Sequence, residues 1–148
     1  MAGLNLAAIT AEVALSAATA KTVVQLVAAS NHPIKVYRWG VFFDGTSTIA
    51  EPVQVVLMRQ TTAGTMSALT PVKVSNHSET LQTTAQHTAT VEPTSGDVLD
   101  VVEVHPQSGY EYVAPLGYEF DVAGGGRIAI VCTAPATVNV RAKLFAME

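Results

Sequence analysis

The chain has 148 residues, enough for one domain with a core of its own. Hydrophobic residues make up 49% and charged residues 14%, against the roughly one quarter usual in soluble domains. The formal charge is −4, and the eight Lys and Arg residues form no basic run, which argues against nucleic-acid binding by clustered cations. So few charges point to a surface that is itself covered, because subunit contacts are depleted of charge at their centre.

Residues 1–10 are small and weakly patterned and read as an N-terminal arm, with the folded domain over 11–148. The apolar start runs to Ala18-Thr19-Ala20, which mimics a signal-peptidase site. It lacks a positive n-region, and Glu12 interrupts it, so the expectation is no signal peptide and synthesis in a cytoplasm. No run approaches the roughly 18 apolar residues of a membrane-spanning helix, so no membrane partner is expected.

Glu12 to Ser16 alternates polar and apolar residues, and Thr22 to Ala28 (TVVQLVA) is a β-branched run; both predict strands. Ser30 to Pro33 is a turn. Ile34 to Phe43 and Val53 to Arg59 are two further strands around a polar loop, 44–52, that opens on Asp44-Gly45. That loop is too long for a two-residue hairpin turn, so the two runs can belong to different sheets. Trp39, Phe42 and Phe43 hold a large share of the aromatic residues and are the expected fixed points of the core.

Gln60 to Met66 reads as a turn around Gly64, and Val72 to Val74 as a short edge-like strand. Leu81 to Val91 (LQTTAQHTATV) has almost no large apolar residue, which suits a sheet edge or a partner contact. Val98 to Val104, Tyr110 to Val113 and Tyr118 to Val122 follow as strands, the first with a change of parity that suggests a bulge. Gly124 to Gly126 is a tight turn. Arg127 to Thr133 and Thr137 to Phe145 close the chain, read as a hairpin turning at Ala134-Pro135-Ala136. Eight to ten short strands with regular turn signals and no amphipathic helix predict an all-β fold: a single jelly-roll β-sandwich of antiparallel strands.

No motif carries chemistry. The four histidines, His32, His77, His87 and His105, have no metal-ligand spacing, and no pair of close histidines with a following Glu marks a cupin. Cys132 lies in the apolar run IAIVCTA, where burial suppresses the thiolate. The triglycine is followed by a strand and not by the helix a phosphate loop needs. Asp97, Asp100 and Glu103 read as a solvated face, not as an acid–base pair. No catalytic, cofactor-binding or metal residue is therefore expected, and the chain is not expected to be an enzyme. Tyr110, Tyr112 and Tyr118, with Phe120, alternate with Glu111 and Glu119. They are the candidate partner contacts, to a subunit in preference to a sugar, against the alternative of ordinary pleating.

The order of the segments TVVQLVAA (22–29), RWGVFFDGTS (38–47), VQVVLMRQTTAGT (53–65), PLGYEFDVAGGGRIAIVCTAP (115–135) and VNVRAKLFAME (138–148) resembles small proteins of tailed-phage structural modules. These are the head decoration or cement proteins, whose fold is similar to the tumour-necrosis-factor-like jelly roll. The resemblance covers the chain from about Glu12 onward and rests on pattern and strand order. It implies a structural virion protein on the outer surface of a capsid, a homo-oligomer (trimer favoured over dimer) whose partner is the major capsid protein. It carries no site motif. A carbohydrate- or receptor-binding module of a fibre is the alternative expectation.

Overall fold

The alternating Val, Thr and Ala runs become thirteen strands in the computed structural model, which describes residues 3–45, 47 and 49–148. They are β1 (Asn5–Ile9), β2 (Val13–Leu15), β3 (Ala20–Val27), β4 (Ile34–Phe43), β5 (Val53–Gln60), β6 (Thr65–Leu69) and β7 (Val72–Lys73). β8 (Thr84–Val91), β9 (Ser95–Val104), β10 (Gly109–Val113), β11 (Phe120–Val122), β12 (Arg127–Thr133) and β13 (Val138–Met147) complete the set. No helix occurs among the described residues.

Two antiparallel sheets pack as a β-sandwich. The first has the order β10-β4-β13-β1-β7, with β11 also on β4 and β2 also on β13; the second has the order β6-β8-β3-β12-β5-β9. The core between them is aliphatic. Leu6, Val36, Val41, Val140 and Leu144 of the first sheet face Val24, Leu26, Leu57, Ile128 and Ile130 of the second, and Trp39 is the largest fully buried side chain. Each buried aliphatic side chain contributes about 1.5–3 kcal/mol relative to exposure, which is how a chain with few aromatics holds two sheets together.

Several expectations need correction. Residues 5–9, read as part of an arm, form β1 between β13 and β7, with Leu6 and Ala8 fully buried; Met1 and Ala2 lie outside the described residues. A short Ala-rich segment looks weak on its own, yet narrow side chains suit a strand enclosed by neighbours. β12 and β13 do not pair as a hairpin, since β12 lies between β3 and β5 in one sheet and β13 lies in the other. The Ala134-Pro135-Ala136 turn therefore crosses between sheets. β8 is one strand in from the edge, covered by β6, which forms where only a turn was read. β4 and β5 do lie in different sheets, and the loop between them includes 46 and 48, outside the described residues.

Bulges set which side chains face inward. A register shift opposite Phe145/Ala146 lets β4 place Val36, Trp39, Val41 and Phe43 inside and Arg38 and Phe42 outside. The triglycine forms the expected turn: the Gly126 N–H donates to Ala123 O at 2.8 Å, and Gly125 has φ +77°.

Candidate functional site

The two outer sheet faces differ in chemistry. All four Phe, all four Tyr and the single Trp lie on strands of the first sheet, or, for Tyr118, in the turn entering β11. The six strands of the second sheet carry none. Residues paired across antiparallel strands share a face, so the register gives the outer surface of the first sheet directly. One row runs Val72, Ala7, Phe145, Arg38, Val113 across five strands. On one side of it run Ile9, Lys143, Gly40, Glu111, and then Arg141, Phe42, Gly109; on the other side run Asn5, Met147, Lys35, Asp121.

Small residues on this surface lie beneath larger ones. Ala7 and Gly40 sit on outward rows yet are buried, because larger neighbours lie across them. A Cβ on Gly40 would stand 2.9 Å from Tyr110 O and 3.2 Å from Lys143 Cε. The Lys143 chain crosses at that point to reach Glu111. The Phe42 ring lies against Gly109 in the same way, and is 44% exposed on its other side.

Cations and rings interleave there. The Arg38 guanidinium lies 4.6 Å from the Phe145 ring centre, and Lys143 Nζ lies 4.9 Å from that of Phe42. Glu111 accepts hydrogen bonds from both cations, from Arg38 Nε at 2.7 Å and from Lys143. The Lys143 hydrogen bond holds the Glu111 carboxyl below the usual carboxylate range, against a smaller upward push from desolvation. At one end of the face a cleft of about 370 Å³ opens between Asn5, Lys35, Tyr37, Ala114, Leu116, Glu119 and Met147.

Of the tyrosines expected as contacts, Tyr110 and Tyr112 pair with Val41 and Trp39 on the inward side of β10. Both are half-buried: Tyr110 packs on Trp39 with ring centres 5.3 Å apart, and Tyr112 packs on Phe120 at 6.0 Å. Tyr118 is 75% exposed, beside Leu116 at 95%, in a turn closed by the Tyr118 N–H donating to Pro115 O at 2.9 Å. Tyr118 is thus exposed in the turn that enters β11, while the other two pack toward the core. Sequence reading missed Phe42, Phe145, Arg38 and Lys143. Outward parity on β13 was legible from Asn139, Arg141, Lys143, Phe145 and Met147; the bulge in β4 hid the matching set.

The outer face of the second sheet is different. The Gln25 amide donates to Gln60 Oε1 at 2.6 Å, Gln60 donates to Thr22 Oγ1 at 2.9 Å, and Thr22 Oγ1 donates to Glu92 Oε2 at 2.6 Å. The Thr22 N–H also donates to the Glu92 carboxylate at 3.0 and 3.1 Å. Each donor points toward the carboxylate, so the bonds polarise one another in one direction. Glu92 belongs to the short link that carries the chain from β8, beside β3, to β9, beside β5. That link closes over the polar side chains, and Thr22, Gln25 and Gln60 are buried. Toward β9 the same face turns apolar, in the rows Ala129, Met58, Val98 and Val131, Val56, Val101.

The remaining candidates are separate from one another. Cys132 is fully buried, which pushes its thiol far above its usual value. Among the described residues no group of three or more His, Cys, Asp or Glu side chains is placed to hold a metal. Asp97 receives a hydrogen bond from Arg59 Nη1 at 3.3 Å, and His105 Nδ1 accepts from the Gln107 N–H at 3.2 Å. Compared with protein families, curated proteins and solved structures, the chain matches none.

Proposed function

We propose that the chain is a structural virion protein, a jelly-roll decoration or cement protein that binds the outer surface of a phage head as a homo-oligomer, with a trimer favoured. Its partner is the major capsid protein, and its role is to raise the cost of shell rupture. The observation that carries this reading is the outer face of the first sheet, where Ile9, Phe42, Phe145 and Val113 alternate with Arg38, Arg141 and Lys143. Such a mixture of rings, aliphatics and arginine is the composition of protein contacts. The low charge content supports the same reading, and a multimer docked on several shell subunits gains avidity without any single strong contact. Heads purified with and without the chain are to be compared for resistance to heat and chelators; the reading expects the bare heads to rupture first, and equal resistance contradicts it.

A carbohydrate- or receptor-binding role has one observation in its favour. The cleft lined by Tyr37, Leu116 and Glu119, next to exposed Tyr118, has the size and the aromatic wall a sugar needs. Glycan-array binding that is lost in Tyr37→Ala or Tyr118→Ala supports it, and an array without signal removes it.

A further inference from the structure

We propose that Glu148 is a pH-operated latch: its carboxylate holds down the connection between β7 and β8, residues 74–83, and its protonation lets that connection open while the two sheets stay folded. The device does not depend on the virion reading.

The connection carries the chain from β7, at the edge of the first sheet, to β8 in the second. At its start it is lightly held. β7 pairs with β1 only at Leu6 and Ala7, and the Val74 N–H donates to Asn5 O at 2.8 Å. Residues 76–80 are exposed. Lys73 Nζ gathers them by donating to His77 O and, at 3.0 Å, to Glu79 O, which closes the segment on itself.

The tie to the sheets comes at the far end. The Gln82 N–H donates to Glu148 Oε1 at 2.9 Å, and the Thr83 N–H donates to Glu148 Oε2 at 2.8 Å. One carboxylate thus satisfies two successive amides, and Thr83 is buried. Leu81, next in line, packs against the core. Glu148 is itself fixed to β1's approach: the Leu4 N–H donates to Glu148 O at 2.9 Å, and the Glu148 N–H donates to Leu4 O at 3.0 Å. Its side chain is 4% exposed. Only the ionised carboxyl accepts at both oxygens; protonation turns one of them into a hydroxyl that faces an N–H donor.

Burial pushes the Glu148 carboxyl up, and the hydrogen bonds from Thr83 and Gln82 together with nearby His32 outweigh it, so its value lies below the usual carboxylate range. The latch is therefore complete above that range and is lost as pH falls through the depressed value. Among the described residues the titratable group facing the carboxylate is His32, in the turn between β3 and β4, with Nε2 3.7 Å from Oε2. A protonated His32 adds attraction, so acid loosens this contact only by protonating Glu148.

The test is amide hydrogen exchange of the full chain by NMR, corrected for the intrinsic rate at each pH and followed from neutral pH down to about pH 2, below the usual carboxylate range. Protection of Gln82 and Thr83 is expected to fall by about tenfold or more, the scale of two charge-assisted hydrogen bonds, before β12 and β13 lose any. Glu148→Gln, which sets an amide donor in place of one acceptor oxygen, should show the low protection already at neutral pH and no acid step. His32→Asn should keep the step. The proposal is overturned if the wild type shows no step, if β12 and β13 open together with the connection, if Glu148→Gln keeps the step, or if His32→Asn abolishes it. The wild-type titration decides the matter even where a variant fails to fold.

Discussion

Phe42 and Phe43 are adjacent and have opposite surroundings. Phe43 is inside, 9% exposed and paired with Val140, whereas Phe42 lies on the outer face over Gly109. Phe43→Ala should cost on the order of 3–5 kcal/mol in urea unfolding, and Phe42→Ala should cost about 1 kcal/mol because half of its surface is already wet. Equal losses would show that the inward and outward assignments of β4 are mistaken. Trp39, Phe42 and Phe43 were legible in the sequence as a cluster of large rings, but which of them turns inward was not. The register of β4 on β13 runs unbroken from Arg38 to Phe43, so Trp39 and Phe43 share one side and Phe42 takes the other, and the partner strand decides which side is inward. Glu92 makes a second residue-scale case. Glu92→Ala removes the acceptor that ends the Gln25–Gln60–Thr22 series and leaves the buried Thr22 N–H unpaired. The expected loss is about 1–2 kcal/mol, reduced by the exposure of the carboxylate itself; a loss within error of zero would mean that water replaces Glu92 freely.

Elements respond through the same contacts. Gly64, in the connection from β5 to β6, has φ +62°, and a Cβ there would stand 2.5 Å from Val91 O and 2.7 Å from Pro93 N. Gly64→Ala should destabilise by about 1–3 kcal/mol, through both the left-handed backbone and the clash with the end of β8. A thermal scan with an unchanged midpoint would contradict the close packing of that turn. This glycine was readable as permissive in the sequence; the β6–β8 pairing it enables was not, because Thr65–Leu69 has no strong strand pattern of its own. Across β4, β10 and β13, Glu111 ties Arg38 to Lys143. Its folded-state value is depressed, so its contribution is complete above the ordinary carboxylate range and is lost as pH falls through the depressed value. Partial exposure limits it to roughly 0.5–1 kcal/mol. Glu111→Gln should therefore lower stability at neutral pH and reduce the acid-side decline; an acid limb identical to that of the wild type would show that the ion pairs contribute nothing.

For the whole molecule, the separation of chemistry between the sheets is the main result. Aromatic rings belong to the first sheet, whose outward rows also carry Lys35, Arg38, Arg141 and Lys143, while the second holds a covered polar series and valine-rich rows toward β9. The all-β class and the placing of β4 and β5 in different sheets could be read from alternation and loop length. The one-sided distribution could not. It requires knowing that β12 and β13, adjacent in the chain, part company, and that Asn5–Ile9 enters the first sheet as β1. The proposed function requires the outer face of the first sheet to be covered by a partner. Hydroxyl-radical footprinting of the assembled and the diluted, dissociated chain tests it most directly, because Phe42, Phe145 and Met147 on that face all react with the radical. The account predicts that these three are protected on assembly while Met66 on β6 keeps its rate; unchanged labelling of the three residues would contradict it.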